Sequence, residues 1–567
     1  MENNHRMSAA LHYKLKSVSR KCTVVSRTFP NFALSNSKSS MPQGKTITKT
    51  SINMSNNQLN NQMNNQMNNQ SNNTINYQTV HVAKVGTLKD KLQGQTQIFA
   101  LKLKGVINED DMAYVRQLQI LHLDLSEVCL QRWDGVAKHH VLMREIPAGA
   151  FRYDALETII LPEKLKKIGT SAFERLRNLH EVIIPDSVVE IGDCAFKDCV
   201  GLPEVNLPED VKQIGDSAFE GCTGFTKMEI PKKVEQIGAS AFEGCVGLTK
   251  IEIPKEVKML DRKKNKVVVE SNGVAKIKSR TFKGCVQLKD VTIPQTVTEI
   301  GADAFEDCKG LESIFIPKSV TVLGDKQNGA NVFRGCLGLK DIRVEDGNAN
   351  FDSRANCNGI VQTDTNTLVA ACESTCIPAS VTTIGQCAYV GFDKPFAFEI
   401  PASITTLADR AFRCCSGLAS VVIPDSVKQM GKEAFAECCD LKEVSLPNSV
   451  SQIKARTFAD CTALENIDIP SSVEKIGEEA FSHSGLKSVV VPETVKGLED
   501  KAFFGCKKLE SVTFPGSRQI GEDVFSQCTA LKHIEARTSG RKRKRYDSTN
   551  RCNTVIDLKT KAVLVSI

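Results

Sequence analysis

Cysteine is the residue type with the greatest capacity for chemistry in this chain, and its spacing is regular. The sequence has 21 cysteines in 567 residues. Cysteine thiolates can form disulfides, bind metal ions or act as nucleophiles. Eleven of the cysteines stand three residues after an aromatic position that recurs along the chain: Cys199, Cys222, Cys245, Cys285, Cys308, Cys336, Cys415, Cys438, Cys461, Cys506 and Cys528.

The regular spacing argues against disulfides and against metal binding. If the repeats stack, these cysteines form one column in which neighbouring side chains point the same way, which disfavours bridging. An odd total suits free thiols, and the paired Cys-x-x-Cys sets of a zinc site do not occur in the sequence. We therefore predict that the column packs as small buried apolar groups, and that the chain uses no metal or other cofactor.

The remaining reactive residues show no catalytic pattern. The nine histidines are scattered, and the adjacent His139 and His140 would point to opposite sides of a strand. No nucleophile elbow, zinc-protease motif, phosphate-binding loop or dinucleotide-binding glycine motif is present in the sequence. The sequence predicts that the protein is not an enzyme.

A cassette of about 23 residues positions the cysteines, and it recurs from Ala150 to roughly Ile534. A typical copy has a short alternating segment that ends at proline, then Val-x-x-Ile-Gly, then Ala-Phe-x-x-Cys. The alternation predicts a short strand, and the glycine is expected to permit a tight bend. A fixed period predicts an α/β solenoid whose strands pair in parallel. We expect the recurrent aromatic residues to stack along its axis: Phe151, Phe173, Phe196, Phe219, Phe242, Phe282, Phe305, Phe333, Tyr389, Phe412, Phe435, Phe458, Phe481, Phe503 and Phe525.

The cassette resembles the BspA-type leucine-rich repeat, whose pattern is Ile-Pro-x-Ser-Val-x-x-Ile-Gly-x-x-Ala-Phe-x-x-Cys. Residues 185–192 and 470–477 match this pattern almost letter for letter. The resemblance implies a leucine-rich repeat with a parallel concave β-sheet and short helical or irregular convex returns. It also implies a protein-binding function, as in surface proteins and adhesins that recognise a host or matrix protein.

The outward side chains of the predicted strands are the candidate binding site. Alternate residues of each strand should face solvent, acidic with interspersed lysine in the early copies and rich in serine in the late ones. Phe315 and Val422 are apolar, yet the register turns them outward, and an outward aromatic residue can anchor a partner. The candidate partner-binding residues are Glu181, Glu204, Asn206, Glu229, Glu252, Thr292, Phe315, Arg343, Val422 and Asp468.

Composition and pattern divide the chain into four regions. The N-terminal tail is basic and rich in Asn and Gln, and we expect it to be disordered. A cap with a different alternation follows, and the single tryptophan, Trp133, is expected to pack in it. The predicted regions are the tail (1–77), the cap (78–149), the solenoid (150–536) and a C-terminal basic loop with a capping hairpin (537–567).

Three inserts interrupt the predicted solenoid, near residues 261–277, 325–329 and 345–377. The first is expected to be a hairpin of Lys266–Glu270 with Val274–Ile277, joined by a turn at Ser271-Asn272-Gly273. Part of the third insert is repeated at the C-terminus: residues 351–361 align without gaps with residues 546–556. We infer that the second copy closes the end of the solenoid.

A run of five cations supports an alternative function. Such a run is typical of a nuclear-import signal or a polyanion-binding patch, so the alternative is an intracellular scaffold. The net charge of +7 is small, and no nucleic-acid-binding fold is indicated, so no specific nucleic acid is expected. The sequence has no apolar run long enough for a membrane span and no secretory signal pattern, which leaves the compartment open. The run consists of Arg541, Lys542, Arg543, Lys544 and Arg545.

Overall fold

The computed structural model describes residues 75–566, apart from residue 96 and residues 152–154, 262–265, 325–330, 394–397, 516–518, 538–553 and 558–561. The N-terminal cap contains the two α-helices of the described residues. Asp111 holds them together, because its carboxylate caps the second helix at Asn108 N and also accepts hydrogen bonds from Gly86 N and Leu88 N. The cap elements are β1 (Gln78–Val82), α1 (Leu88–Lys91), β2 (Ala100–Ile107), α2 (Glu109–Val115), β3 (His122–Asp134) and β4 (His139–Leu142).

The repeats form a parallel β-solenoid with two ladders of short strands. The cap strands β1, β2 and β3 continue in parallel into the first ladder, so the cap and the repeats share one sheet. The first ladder, which precedes the prolines, comprises β6 (Thr158–Ile160), β8 (Glu181–Ile183), β12 (Lys250–Glu252), β16 (Asp290–Thr292), β18 (Ser313–Ile316), β20 (Asp341–Val344), β26 (Ser420–Val422), β28 (Glu443–Ser445), β31 (Ser488–Val490), β33 (Ser511–Pro515) and β35 (His533–Arg537).

The second ladder is built from two-residue strands that end at the recurrent Ile, Leu or Met, and every described pair in it is parallel. Its strands are β5 (Glu145–Ile146), β7 (Lys167–Ile168), β9 (Glu190–Ile191), β10 (Gln213–Ile214), β11 (Gln236–Ile237), β15 (Lys276–Ile277), β17 (Glu299–Ile300), β19 (Val322–Leu323), β24 (Thr383–Ile384), β25 (Thr406–Leu407), β27 (Gln429–Met430), β29 (Gln452–Ile453), β30 (Lys475–Ile476), β32 (Gly497–Leu498) and β34 (Gln519–Ile520).

The first ladder is less continuous than the sequence predicts. Residues 204–206, 227–229 and 466–468 have the strand pattern but do not form strands. Pro203 explains the first gap, because it occupies the position of His180, whose N–H donates to Glu157 O in the preceding turn, and proline has no N–H to donate. The same residues still present their side chains in the expected alternation.

The returns of the solenoid are turns rather than helices, apart from a single 3₁₀ turn at Asn331–Phe333 in the described repeats. The glycine that follows the recurrent Ile in most copies does not supply the bend that we expected. Instead it lets consecutive turns approach: a Cβ on Gly238 would lie 2.3 Å from Asp216 N. The bend is made by left-handed residues further on, such as Cys194 (φ 54°) and Asp198 (φ 59°).

The recurrent aromatic rings are buried, but they form two stacks rather than one. Neighbouring ring centroids from Phe151 to Phe333 are 5.0 to 5.7 Å apart, and so are those from Tyr389 to Phe525. Phe333 and Tyr389 belong to separate hydrophobic clusters. The single continuous stack predicted from the sequence is therefore wrong.

The eleven cysteines of the column are buried free thiols, and they do more than pack. Each Sγ donates a hydrogen bond to the carbonyl oxygen of the aromatic residue in the preceding turn, at 2.8 to 3.2 Å. The first is Cys199 to Phe173 O and the last is Cys528 to Phe503 O. The column thus links consecutive turns and supplies a donor to a buried carbonyl.

The first insert is a hairpin, but with a different turn from the one predicted. β13 (Val257–Asp261) pairs antiparallel with β14 (Lys266–Ser271), so the chain reverses between these strands and not at Ser271-Asn272-Gly273. Val274 and Ile277 remain in the repeat. Val274 N donates to Pro254 O at 3.0 Å, as Val188 N donates to Pro185 O in an uninterrupted copy. The insert is therefore placed between the proline and the valine of one cassette. The second insert, at 325–329, lies outside the described residues.

The third insert separates the two cores. It contains β21 (Phe351–Asp352), a 3₁₀ turn (Arg354–Asn356), β22 (Gly359–Gln362) and β23 (Thr367–Ala371), which form an antiparallel unit. Ile360, Val369 and Ala370 belong to the first core, whereas Val361 and Leu368 belong to the second. Because alternate residues of a strand face opposite sides, one thin hairpin completes both cores.

The C-terminal hairpin repeats this geometry. β36 (Thr554–Asp557) and β37 (Ala562–Ser566) pair antiparallel, with a register shift after the second pair. β22 and β23 have their register shift at the same place, so four residue pairs correspond one to one. Most of the C-terminal counterpart of the third insert, 546–553, lies outside the described residues.

Candidate binding face

The outward side chains of the first ladder form the surface that we call the strand face, with one part before the third insert and one part after it. It comprises the ten candidate residues and fourteen others in the same alternation: Ile183, Lys227, Lys250, Asp290, Ser313, Asp341, Ser420, Glu443, Ser445, Asn466, Ser488, Val490, Ser511 and Thr513. All are exposed except Asp341, Ser511 and Thr513, which are half-buried. The parallel register places corresponding residues side by side, as Phe315 beside Arg343.

The strand face is acidic, although the chain as a whole carries a net charge of +7. Its 24 positions include eight acidic and three basic side chains, which leaves a net charge of −5. Each basic side chain is already paired with an acid two residues away. Lys227 Nζ lies 2.7 Å from Glu229 Oε1 and Lys250 Nζ lies 2.9 Å from Glu252 Oε1. Arg343 pairs with Asp341 in the same way.

These pairs leave five carboxylates of the strand face without a cationic partner in the described part of the chain: Glu181, Glu204, Asp290, Glu443 and Asp468. Each ion pair shifts the pKa values of its two partners. Contact with Glu229 raises the pKa of Lys227, and contact with Lys250 lowers the pKa of Glu252. The free charge that the face offers to a partner is therefore negative.

Four large apolar side chains stand out on the strand face. Val422 is 67% exposed, Val490 55%, Phe315 49% and Ile183 47%. The structure places the two apolar candidates, Phe315 and Val422, outward. An open groove of about 850 Å³ runs beside Asp468, with Val444 and Ile467 among its lining residues. Apolar side chains between polar neighbours are the usual make-up of a protein-binding surface.

A polar cluster at the cap end of the strand face was missed by sequence reasoning. Lys102 Nζ lies 2.8 Å from Asp124 Oδ2 and 3.0 Å from Glu127 Oε1. Burial alone would raise the pKa of Asp124, but hydrogen bonds from Lys102 and Ser126 outweigh it, and the net shift is downward. The alternation of leucine with His122 and Asp124 in β3 was a signal that these polar residues lie on the side of the sheet opposite to the leucines.

His122 belongs to the same cluster. Its Nδ1 lies 2.9 Å from Thr158 Oγ1, and both residues are buried. Burial lowers the pKa of His122, which favours the neutral ring. The polar groups of this cluster are paired with one another, so the cluster holds the end of the face in shape and offers no nucleophile activated by a free base.

The structure also bears on possible metal sites, membrane spans, Trp133 and the basic run. In the described ranges no three His, Cys, Asp or Glu side chains come together as a metal site, and no helix there is long and apolar enough to cross a membrane. Trp133 is 59% exposed, so the prediction that it packs in the cap is wrong. The basic run 541–545 lies outside the described residues.

Comparisons with known proteins agree with this architecture. A family model described as BspA type Leucine rich repeat region (6 copies) matches residues 144–264, 261–361, 368–487 and 452–555. No curated protein matches the chain.

Solved structures of bacterial proteins are similar. A leucine rich cell surface protein from Faecalibacterium prausnitzii A2-165 is 26% identical, with 73% of this chain and 86% of that chain covered and a TM-score of 0.43. A leucine-rich repeat protein from Bacteroides ovatus ATCC 8483 is also 26% identical, with coverages of 70% and 83% and a TM-score of 0.37. One from Eubacterium ventriosum ATCC 27560 is 19% identical, with coverages of 72% and 92% and a TM-score of 0.41.

The family model matches well over half of the chain, and the parallel ladders, the stacked aromatic rings and the cysteine column follow the same cassette. The chain belongs to the BspA-type leucine-rich repeat family.

Proposed function

We propose that this protein is a non-catalytic binding solenoid that recognises another protein through the strand face, as a surface or adhesin-type binder. The observation that carries the proposal is the combination of exposed apolar side chains with unpaired carboxylates on one ordered face. Apolar side chains supply binding energy when a partner covers them, and unpaired carboxylates select the partner by charge. A partner with a basic contact surface fits this face best.

The surface role rests on the family and on the character of the face. Solenoids present long surfaces in which each turn contributes a few side chains, and binding is then spread over many turns without a covalent step. Phe315 and Val422 are the two anchors that we assign, since each is apolar, exposed and surrounded by polar positions. Glu181, Glu204 and Asp468 supply free negative charge. Glu229 and Glu252 are already paired with Lys227 and Lys250, so they join Asn206, Thr292 and Arg343 as hydrogen-bonding groups.

Adhesion of the full-length chain to immobilised matrix proteins of different surface charge tests the proposal, and those with basic surfaces should bind best. Replacing Phe315 or Val422 by Ala removes an anchor and should weaken binding by about tenfold or more, if each contributes as a hot spot does. The matched control is Val200→Ala, which alters an exposed valine outside the strand face and should leave binding unchanged.

Two outcomes would contradict the proposal. One is binding that is the same for Phe315→Ala, Val422→Ala and Val200→Ala while all three remain folded. The other is a tagged chain that accumulates in the nucleus and loses that location when the arginines and lysines at 541–545 are replaced by alanine. That result would favour the alternative, an intracellular scaffold.

A further inference from the structure

The last hairpin of the cap exposes apolar side chains that the strand face does not use. Gln131–Asp134 of β3 pair only with β4, whereas the earlier part of β3 pairs with β2 and β6. The hairpin therefore extends beyond the sheet. At its end Val136 is 95% exposed, and the single tryptophan, Trp133, is 59% exposed. We call residues 131–144 the Trp133 hairpin.

One side of the Trp133 hairpin carries two exposed apolar side chains, Trp133 and Leu142. Trp133 pairs with His140 across the two strands, and Gln131 pairs with Leu142, so these four side chains share a side. The indole meets the His140 ring edge to face, with centroids 5.2 Å apart, and Leu142 is exposed beside them. Single exposed apolar residues are ordinary, but a tryptophan, a leucine and a valine on one small hairpin form a patch.

The charges of the hairpin are mostly positive. Arg132, Lys138 and Arg144 are exposed, and Asp134 is the one acid of the segment, which gives a net charge of +2. Asp134 also turns its carboxylate inward: Oδ1 accepts hydrogen bonds from Val136 N at 2.9 Å and Ala137 N at 3.0 Å. These bonds lower the pKa of Asp134 and hold the loop in a shape that presents Val136.

We propose that the Trp133 hairpin contacts an anionic lipid surface and inserts its tip at the membrane interface. A projecting apolar tip has no groove of its own, so its partner must yield around it, as the fluid headgroup region of a membrane does. Tryptophan prefers this interface because its ring is apolar and its N–H is polar. Lysine and arginine beside the tip are attracted by anionic headgroups. This contact is separate from the strand face and does not depend on the proposed function.

The single tryptophan of the chain makes the proposal directly measurable. Full-length protein is titrated with vesicles of phosphatidylcholine and phosphatidylserine, and with vesicles of phosphatidylcholine alone. Trp133 emission should shift to the blue and be quenched by brominated acyl chains with the anionic vesicles. Arg132→Gln should weaken partition about fivefold, the effect of one cation near a charged membrane.

Val136→Asp places a charge at the apolar tip without disturbing a buried group, and it should abolish the blue shift and the quenching. Val200→Asp is the matched control, since Val200 is also an exposed valine but lies outside both the Trp133 hairpin and the strand face. It should leave vesicle binding unchanged. Four results overturn the proposal: no shift with anionic vesicles, an equal blue shift with phosphatidylcholine alone, a blue shift and quenching that Val136→Asp does not affect, and the same blue shift with soluble polyglutamate.

Discussion

At the scale of single residues, the cysteine column explains a regularity that packing alone leaves open. A small apolar residue would fill the same space, but it would leave the carbonyl oxygen of the aromatic residue in the preceding turn without this donor. The thiol is large enough to fill the interior and polar enough to reach that oxygen, for example over 3.1 Å from Cys222 Sγ to Phe196 O. Packing and hydrogen bonding therefore favour the same residue type at this position.

The cysteine column gives a prediction for stability. Cys222→Ala removes a fully buried sulfur and its hydrogen bond, and should lower the free energy of unfolding by about 1–3 kcal/mol. Urea denaturation followed by circular dichroism measures the change. The control is Cys439→Ala, because Cys439 is exposed, and its effect should stay within about 0.5 kcal/mol. If the two substitutions had equal effects, the cysteine column would not contribute to the free energy of unfolding.

The same burial predicts a loss of stability in alkali. Burial raises the pKa of Cys199 from 9.0 to about 12, and it raises the pKa of Cys222 and Cys245 as well. Above pH 9.0 the unfolded chain loses thiol protons that the folded chain retains. The unfolded state then binds fewer protons, so stability falls as pH rises.

The urea midpoint should therefore be flat between about pH 7 and 8 and fall above about pH 9, where unfolded thiols ionise. In Cys199→Ala the free energy of unfolding should fall less steeply with pH, by up to about 1.4 kcal/mol per pH unit. Cys376→Ala is the control, since Cys376 is exposed. A slope that is the same in Cys199→Ala as in the parent chain would contradict the assignment.

At the scale of elements, the third insert connects the repeats before it to the repeats after it. Its side chains bind the last strand of the first ladder before the break: Asn358 Oδ1 accepts Ile342 N at 2.7 Å, and Ser353 Oγ accepts Val344 N at 3.0 Å. On its other side, β23 pairs in parallel with β24. The insert thus ends one stack of strands and begins the next, which an uninterrupted cassette would do by repetition.

Asn358 is the residue whose loss should loosen this connection. It also donates from Nδ2 to Lys340 O and to Ser374 Oγ, both at 2.6 Å. Asn358→Ala removes all three bonds and should cost about 2–4 kcal/mol, since backbone groups lose their partners. Hydrogen exchange should rise at the Ile342 amide. Asn466→Ala, on the exposed strand face, should change neither quantity, and an unchanged Ile342 exchange rate in Asn358→Ala would show that the connection is held by other contacts.

The elements also show what the sequence could and could not predict. Period and residue type were enough for the parallel strands, the buried rings and the outward positions, because each cassette repeats one local solution. The hairpin of the first insert was misread because Val274 and Ile277 have strand-forming side chains but serve as repeat positions. The polar cluster around Asp124 was missed because its partners come from different strands of the cap. Trp133 was expected inside because large aromatic residues usually are, and no local pattern marks a projecting hairpin.

At the scale of the whole molecule, the described residues form two cores that are separated by one hairpin. In a solenoid each turn contacts only its neighbours, so stability is a sum of turns and of contacts between turns. The hairpin β22–β23 replaces the ring-to-ring contact between Phe333 and Tyr389. The turns after these two rings still approach each other, since a Cβ on Gly391 would lie 3.5 Å from Gly335 Cα. The aromatic stack and the hydrophobic clusters are nevertheless interrupted at this point, so we expect the two cores to behave as separate cooperative units.

Hydrogen exchange on a core variant tests this independence. Phe219 is fully buried between Phe196 and Phe242, with centroids 5.4 and 5.6 Å away. Phe219→Ala should destabilise its core by about 3–5 kcal/mol. Amide exchange should then accelerate in β10 and β11 while Ile453 and Ile476 of the second core keep their protection. The mirror variant is Phe458→Ala, in the second core, which should reverse the pattern. Equal acceleration of both cores in either variant would mean that the hairpin transmits unfolding and that the solenoid is one cooperative unit.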